Sequence, residues 1–436
     1  MRLLLHIFLG VFILSIQTGF GQTNKTLKIK AGDIINEIET EIITWRHHLH
    51  QYPELSNREY KTSEFIAGKL REFGLEVKTG IAHTGVVGIL KGGKPGPVIA
   101  LRADMDALPV TERVEIPWKS LEKAEYNGQV TGVMHACGHD IHMAVLLGTA
   151  NVLSGMKQDL GGTIKFIFQP AEEGAPAGEE GGAELMVREG VLNDPDAEAI
   201  FGLHVNSQLK TGMISYKPGE IMAAVNSFRI IVHGKQTHGS TPWTGIDPVV
   251  TSAQIINALQ TVVSRQSDLT TGPAVVSVGA IHGGIRSNII PEQVEMIGTI
   301  RTLDKAMREK ILEDVRRTVI KVAESQGATA EITIDKGYPV TYNDPDLTGR
   351  MLSSLQEAVG KENTIIRKPM TGAEDFAYYQ QKIPGMFFFL GGMPEGAKQE
   401  NAPPHHTPSF YVDDSCIKNG IKAFCYLVLD YEMKFR

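Results

Sequence analysis

Hydrophobic positions along the chain fall into two alternating rhythms. Apolar residues spaced three and four apart predict helices over 34–52, 60–73, 143–156 and 182–189. Between them lie short continuous apolar runs, 86–90, 98–101, 164–168 and 199–205, which read as strands covered on both faces. From about 218 to 336 the order becomes strand 227–232, helix 248–264, strand 274–281, strand 294–301, helix 304–325 and strand 330–335. That βαββαβ order is the split ferredoxin-like unit and predicts a self-contained inserted domain. The earlier rhythm then resumes with helices over 347–359 and 374–382, a strand over 386–390, a loop rich in proline and histidine, and a final helix over 415–435. The expected fold class is therefore α/β. A main domain with a mostly buried mixed sheet, residues 22–218 and 337–436, is interrupted by a ferredoxin-like satellite at 219–336. No internal repeat is visible, and the short Gly/Glu-rich loop over 172–182 is the one segment of low complexity.

The first residues follow a different pattern. Met1 and Arg2 form a short positive start, and 3–16 is apolar except for His6, Gly10 and Ser15. Gly19, Phe20 and Gly21 put small residues where a signal peptidase cuts, which predicts a leader over 1–21 and a mature chain from Gln22. The alternative is an uncleaved anchor, but the run is shorter than the ~20 residues a spanning helix needs. The expectation is an exported protein, periplasmic or secreted, off the membrane once cleaved. Of the 436 residues 42% are hydrophobic and 21% charged, enough for two or three domains. A formal net charge of −7 removes the electrostatic reason to expect nucleic acid. The cysteines are Cys137, Cys416 and Cys425, an odd number that argues against a disulfide framework. Cys416 and Cys425 are nine positions apart on one predicted helix. At about 100° per residue they face opposite ways and should not pair.

Five segments carry candidate chemistry, each after a predicted buried strand or in the loop that follows one. His135-Ala136-Cys137-Gly138-His139-Asp140, with His142 beyond, offers a thiolate and imidazoles suited to zinc or a similar transition metal. Gln169-Pro170-Ala171-Glu172-Glu173-Gly174 offers adjacent carboxylates that can divide metal binding from proton handling. His204 ends another strand, and His405 and His406 lie in the late loop. Asp104, in Leu101-Arg102-Ala103-Asp104-Met105-Asp106, could orient a ligand histidine. Taken singly, each has a plain structural reading: a buried thiol, a solvated acidic loop, a core histidine. Together they point to a metal centre, because sites in open α/β sheets form at the carboxyl ends of the strands. His238, Arg286, Asn288 and Arg301 in the inserted region read, by pattern alone, as turn residues and strand caps.

Read in order, LRADMDALP, HACGHDIHMA, QPAEEG, GLHV, the His238-Gly239-Ser240-Thr241-Pro242 segment, SNIIPE, TGAEDF and HHTPSF resemble the metal-dependent aminoacylase and carboxypeptidase superfamily. The resemblance is to the branch of hippurate hydrolases and auxin-conjugate hydrolases, and it runs from Leu101 to Phe410. It implies two divalent metals (Zn, Mn, Co or Ni) bridged by Cys137, with His139 and His204 completing one and Glu173 and His406 the other. His406 has the family spacing to Pro408 and Phe410, which leaves His405 as its neighbour. Glu172 resembles the general base and then acid, and Asp104 the aspartate behind the ligands. His238 is similar to the histidine that reaches the partner subunit's site. Asn288, Arg286 and Arg301 resemble substrate-holding residues. The inserted domain resembles one through which the family forms homodimers.

The implied reaction is hydrolysis of the amide bond of an N-acyl amino acid by a metal-activated water, with Glu172 taking its proton and passing it to the departing amine. Three alternatives stay open at this point: a dipeptidase or carboxypeptidase of the same superfamily, a cysteine hydrolase built on Cys137, and a non-catalytic metal- or ligand-binding protein on the same fold.

Overall fold

The computed structural model of the chain describes residues 2–434, with side chains over 24–433. The predicted leader over 1–21 lies outside the residues whose side chains are described. The principal strands in chain order are β1 (Glu76–Ile81), β2 (Gly85–Lys91), β3 (Lys94–Asp104), β4 (Gly161–Gln169), β5 (Ala199–Lys210), β6 (Ile214–Tyr216), β7 (Ala224–His233), β8 (Ala274–His282), β9 (Gln293–Thr302), β10 (Thr329–Lys336), β11 (Thr364–Ile366) and β12 (Gly385–Met393). The principal helices are α1 (Arg2–Gln51), α2 (Tyr60–Glu72), α3 (His139–Gly155), α4 (Gly182–Arg188), α5 (Pro248–Gln266), α6 (Lys305–Ser325), α7 (Pro345–Val359) and α8 (Cys416–Lys434).

Two units emerge. The first takes in residues up to Pro218, Asn343–Arg367 and Tyr378–Arg436; the second is Gly219–Tyr342 with Lys368–Ala377. The first unit is built on an eight-stranded mixed sheet in the order β1-β2-β4-β3-β5-β12-β6-β11. Its centre is parallel, β3 pairing with β4 and β5 and β12 with β5, while β1, β2 and the β12–β6 pair are antiparallel. The central strands are apolar without alternation because both faces are covered; all nine residues of β12 are buried. Helix α3 is buried nearly all round, as a helix must be when it lies between a sheet and other helices. Gly148 lets its neighbours approach: a Cβ there would meet Ile421 Cδ1 at 2.5 Å and Ile42 Cδ1 at 2.9 Å. Large buried side chains such as Phe166, Phe201 and Phe388 each contribute on the order of 1.5–3 kcal/mol through burial.

The inserted unit has the element order β7-α5-β8-β9-α6-β10 and an antiparallel sheet ordered β8-β9-β7-β10. Only one of its faces is covered, so β7 alternates: Phe228, Ile230 and Val232 are buried, while Arg229 is exposed. Asp247 caps α5 by accepting from the N–H groups of Val249 and Val250, and Asp304 caps α6 by accepting from that of Met307.

Long apolar segments stand where the hydrophobic pattern puts them, but three departures have physical causes. Strand β1 is mostly exposed at the sheet edge, so no apolar run announces it. Strands β6 and β11 have three residues each, too few to show a period. The helix expected over 374–382 shrinks to one turn, Ala377–Gln380, because the Glu374 carboxylate takes the Phe376 N–H at 3.0 Å and competes with helix formation. The three cysteines are unpaired. Among the described residues, no helix is long and apolar enough to cross a membrane.

Within the inserted sheet Gly298 faces Phe228 across the β7–β9 pair, and the ring fills the space the glycine leaves. A Cβ at Gly298 would lie 2.2 Å from Phe228 Cζ and from the Ser277 carbonyl oxygen. Gly298→Val should therefore overpack this unit and destabilise it by about 1–3 kcal/mol. A chemical-denaturation midpoint unchanged from the wild type would refute this account of the pair.

Candidate metal centre

The chemistry-bearing side chains gather where the parallel strands of the first unit end. Strand β3 ends on Asp104, with Asp106 two residues further, and β4 ends on Gln169, three residues before Glu172. His204 lies on β5. Cys137 and His139 flank Gly138, whose φ of 88° is left-handed and which starts α3 four residues earlier than the apolar pattern suggests. On a regular helix residues two apart diverge by about 200°. The left-handed turn instead brings the ligand atoms of Cys137, His139 and Glu173 within 4.8 Å of one another. Cys137 also belongs to a second group of the same span, with His204 and His405. One sulfur is thus common to two candidate metal positions.

Several buried polar groups hold this constellation. The His139 Nδ1 lies 2.8 Å from the Asp106 carbonyl oxygen, which leaves Nε2 turned toward Glu172 and Glu173, 3.9 Å from an oxygen of each. Asp106 also orders the glutamate loop: its carboxylate accepts from the N–H of Glu172 and of Glu173, both at 3.0 Å, and from the Ser56 hydroxyl at 2.7 Å. One residue earlier Ala171 is held at a φ of 52°, and its N–H goes to the buried Glu59 carboxyl at 3.0 Å. Asp104 accepts from Arg102 at 2.6 Å and bonds His142 Nδ1, while His142 Nε2 accepts from the Val205 N–H at 2.8 Å. His204 gives its Nδ1 to the Val205 carbonyl at 2.6 Å, which leaves Nε2 3.4 Å from the Cys137 sulfur. Asp140, in the first turn of α3, pairs with Arg46 at 2.9 Å and His50 at 2.8 Å, both on α1.

Both late histidines approach the same sulfur. His405 Nδ1 is 3.6 Å from it, and its Nε2 faces the Ser207 N–H at 3.4 Å. His406 Nε2 is 3.3 Å from it and 3.1 Å from Glu173 Oε1. A neutral His405 that accepts at Nε2 carries its hydrogen on Nδ1, so that nitrogen points a donor at the sulfur rather than a lone pair. His406 Nε2 instead faces both the sulfur and the Glu173 carboxylate, as a ligand shared with them would.

The electrostatics fit a cation. His139 Nε2 is buried and has no hydrogen-bond partner among the described residues, a costly arrangement unless an ion satisfies it. Burial opposes charge on His139, yet Asp104, Asp106 and Glu173 outweigh it and push the ring up to about 10. Burial and the nearby Glu173 and Glu172 push the Cys137 thiol well up. Burial lowers His204 well below the imidazole range and His405 to about 3. Burial and the charge of Asp106 raise Glu59 to about 8. The pocket therefore collects negative charge, draws protons to His139, and would release them to a divalent ion.

The remaining expected residues lie in the inserted unit. His238 is exposed on the strand Thr237–His238, paired with Ile289, and its Nδ1 lies 2.7 Å from the Ser240 hydroxyl. Asn288 passes close behind it, its carbonyl accepting from the Gly239 N–H at 2.9 Å. Arg286 is exposed, and Arg301 donates to Thr299 at 3.1 Å and to the Thr371 carbonyl at 3.4 Å. Two contributors were not singled out from the sequence, Asp106 and Glu59. For Asp106 a signal existed: an Asp-x-Asp at a strand end puts two carboxylates at one site.

Residues 100–430 match the model of peptidase family M20/M25/M40. The chain belongs to this family. The M20 chain is 43% identical to thermostable carboxypeptidase 2 of Saccharolobus solfataricus over 405 residues, 92% of this chain and 98% of the relative. It is 35% identical to an IAA-amino acid hydrolase of Arabidopsis thaliana over 90% of this chain and 86% of that one. Among solved structures, the Bacillus subtilis YXEP protein, described as a dinuclear metal binding peptidase, superposes with a TM-score of 0.76 at 36% identity, covering 91% and 99% of the two chains. With two clustered ligand groups sharing Cys137, this M20 protein is a metallohydrolase with a dinuclear divalent-metal centre.

Two outcomes follow for the M20 centre. Gly138→Ala forces a left-handed alanine, at roughly 1–2 kcal/mol, and its Cβ would meet Val205 Cγ1 at 2.3 Å. Metal bound per folded chain should fall, and full stoichiometry at unchanged affinity would contradict the role given to this turn. Because metal must displace protons from His139, which is protonated below about 10, and from the raised Cys137 thiol, affinity should fall as the pH is lowered, and the fall should already be under way at neutral pH. A pH-independent affinity in a competitive chelator titration would overturn this.

Proposed function

We propose that the protein hydrolyses the amide bond of N-acyl amino acids, giving a carboxylic acid and a free amino acid, as in the hippurate and auxin-conjugate branch of the family. The observation that carries the reading is Glu172: a buried carboxylate beside the ligand groups, with its N–H fixed by Asp106 and its oxygen 3.9 Å from His139 Nε2, while the neighbouring Glu173 serves as ligand. A binder of metal has no use for a second carboxylate set so close.

In this reading Cys137 would be shared by the two ions, His139 and His204 would help hold one, and Glu173 and His406 would help hold the other. When bound, such ions polarise a carbonyl and make water acidic enough to attack at neutral pH. Glu172 takes the proton of the attacking water and returns it to the departing amine nitrogen, so the enzyme ends the cycle unchanged. Asp104 holds His142, and through the Val205 N–H that histidine steadies the strand that carries His204. His238, with Nδ1 tied to Ser240, offers Nε2 to the developing oxyanion of a partner subunit's substrate. Asn288, Arg286 and Arg301 would hold the substrate. The inserted unit, whose element and strand order support the ferredoxin-like βαββαβ assignment, would form the homodimer. The N-terminal 1–21 segment would direct export to a periplasm or beyond.

The test is to strip the mature chain of metal, restore Zn, Mn, Co or Ni, and assay N-acetyl, N-benzoyl and long-chain N-acyl amino acids beside dipeptides. Release of free amino acid from one acyl class is expected. The likeness to a thermostable carboxypeptidase favours one rival, and turnover of peptides alone would select it. Glu172→Gln should keep both metals and lose about 10²–10⁴-fold in turnover; near wild-type activity would displace Glu172 from its role. His238→Ala should cost about 10²–10³-fold in kcat if it is an oxyanion donor, whereas a loss under about threefold would make it structural.

A further inference from the structure

Cys137 and His406 are 269 residues apart in sequence, and a shared centre requires their segments to be held against each other. One direct bond does part of this, the His406 N–H donating to the Ala136 carbonyl at 2.8 Å. The rest falls to a single turn of α1. Arg46 pairs through Nε with Asp140 at 2.9 Å and through Nη1 with Asp414 at 3.3 Å. Asp140 follows His139 in the first turn of α3, and Asp414 lies just beyond the late-histidine loop. Next to Arg46, His47 Nε2 meets Asp414 at 2.8 Å while its ring stacks on Trp118, the centroids 3.5 Å apart. One turn further on, His50 bonds Asp140 through Nδ1 at 2.8 Å and Glu112 through Nε2 at 3.2 Å. The N–H of Arg113, which follows Glu112, donates at 2.7 Å to the carbonyl of Pro408, two residues past His406.

Arg46, His50, Asp140 and Glu112 are all buried. Ion pairs in such surroundings are strong, and a buried carboxylate that loses its partner is left at high cost. The first turn of α3 and the segment at Glu112 therefore cannot shift without breaking these pairs. Arg46 and His50 stand four residues apart, on one face of the helix, and both converge on Asp140. The other end of α1 is anchored elsewhere. Lys28, about 27 Å back along the helix axis, pairs with Asp430 of α8 at 2.8 Å and Glu357 of α7 at 2.6 Å. Those partners lie outside the segments that carry candidate ligands. We infer that Arg46 and His50 are positioning residues of the metal centre. Through Asp140, Asp414 and Glu112 they set the turn that carries Cys137 and His139 against the late-histidine loop, so docking of the C-terminal end of α1 and metal binding favour each other. The inference needs the dinuclear centre but not the choice of substrate.

The experiment measures zinc affinity of the folded protein by competitive chelator titration in wild type, Arg46→Met, Arg46→Lys and Lys28→Met. Arg46→Met should lose about 10- to 100-fold in affinity, the range typical when a group behind the ligands is removed. Arg46→Lys keeps the charge and should recover part of the loss. Lys28→Met removes a buried anchor at the other end of the same helix. Its thermal midpoint should fall, yet its zinc affinity should change less than about threefold, because distant sites act independently. Coupling is reciprocal, so zinc added to the wild type should slow amide hydrogen exchange over 44–51 more than over 28–35. That measurement needs no variant and carries the test if Arg46→Met does not fold. Equal affinity losses in Arg46→Met and Lys28→Met would make α1 general scaffolding and overturn the inference. Wild-type affinity in Arg46→Met, or exchange over 44–51 indifferent to zinc, would overturn it as well.

Discussion

Asp104, Asp106 and Glu172 are buried and Glu173 is half-buried beside them, and the repulsion among these carboxylates is the constraint around which the first unit is organised. Low-dielectric surroundings make like charges costly and opposite charges valuable. The fold answers with Arg102 against Asp104, backbone N–H groups against Asp106, and imidazoles against the rest. What the protein side chains do not balance is left to cations, and this is why His139 attracts a proton so strongly while Cys137 gives one up so reluctantly. The same pressure explains the architecture. Donors of this kind are supplied most economically where several parallel strands end together, and each of β3, β4 and β5 contributes there.

The apolar rhythm made the principal layers legible because long central strands and amphipathic helices leave unambiguous periods. The failures lie where packing, not period, decides: an exposed edge strand, three-residue strands held by their neighbours, and one turn of helix undercut by Glu374. The ligand candidates Cys137, His139, Glu173, His204 and His406 were readable because chemistry of that kind is rare at strand ends. Their supports were harder to read. Asp106 acts through its carbonyl as well as its carboxylate, and a carbonyl carries no sequence signal. Glu59 is remote in sequence from the loop it holds.

The inserted unit has a different economy. Its sheet is covered on one face only, and its core depends on complementary pairs such as Phe228 with Gly298 rather than on uninterrupted apolar strands. Its polar residues are held by short local bonds, as Ser240 holds His238, so they can be oriented without deep burial. The ligand candidates of the first unit and the exposed polar residues of the inserted unit thus stand in parts of the chain built on different packing rules.

The sharing of Cys137 between both ligand groups has a consequence for how the enzyme fails. A sulfur is the softest and most oxidisable donor among the candidate ligands, and addition of oxygen to it removes the thiolate that both candidate groups share. Damage to that single atom takes a donor from both candidate groups at once. Holding the thiol buried and its ionisation suppressed until metal arrives is therefore also protection, since the apo-protein offers oxidants little thiolate to attack.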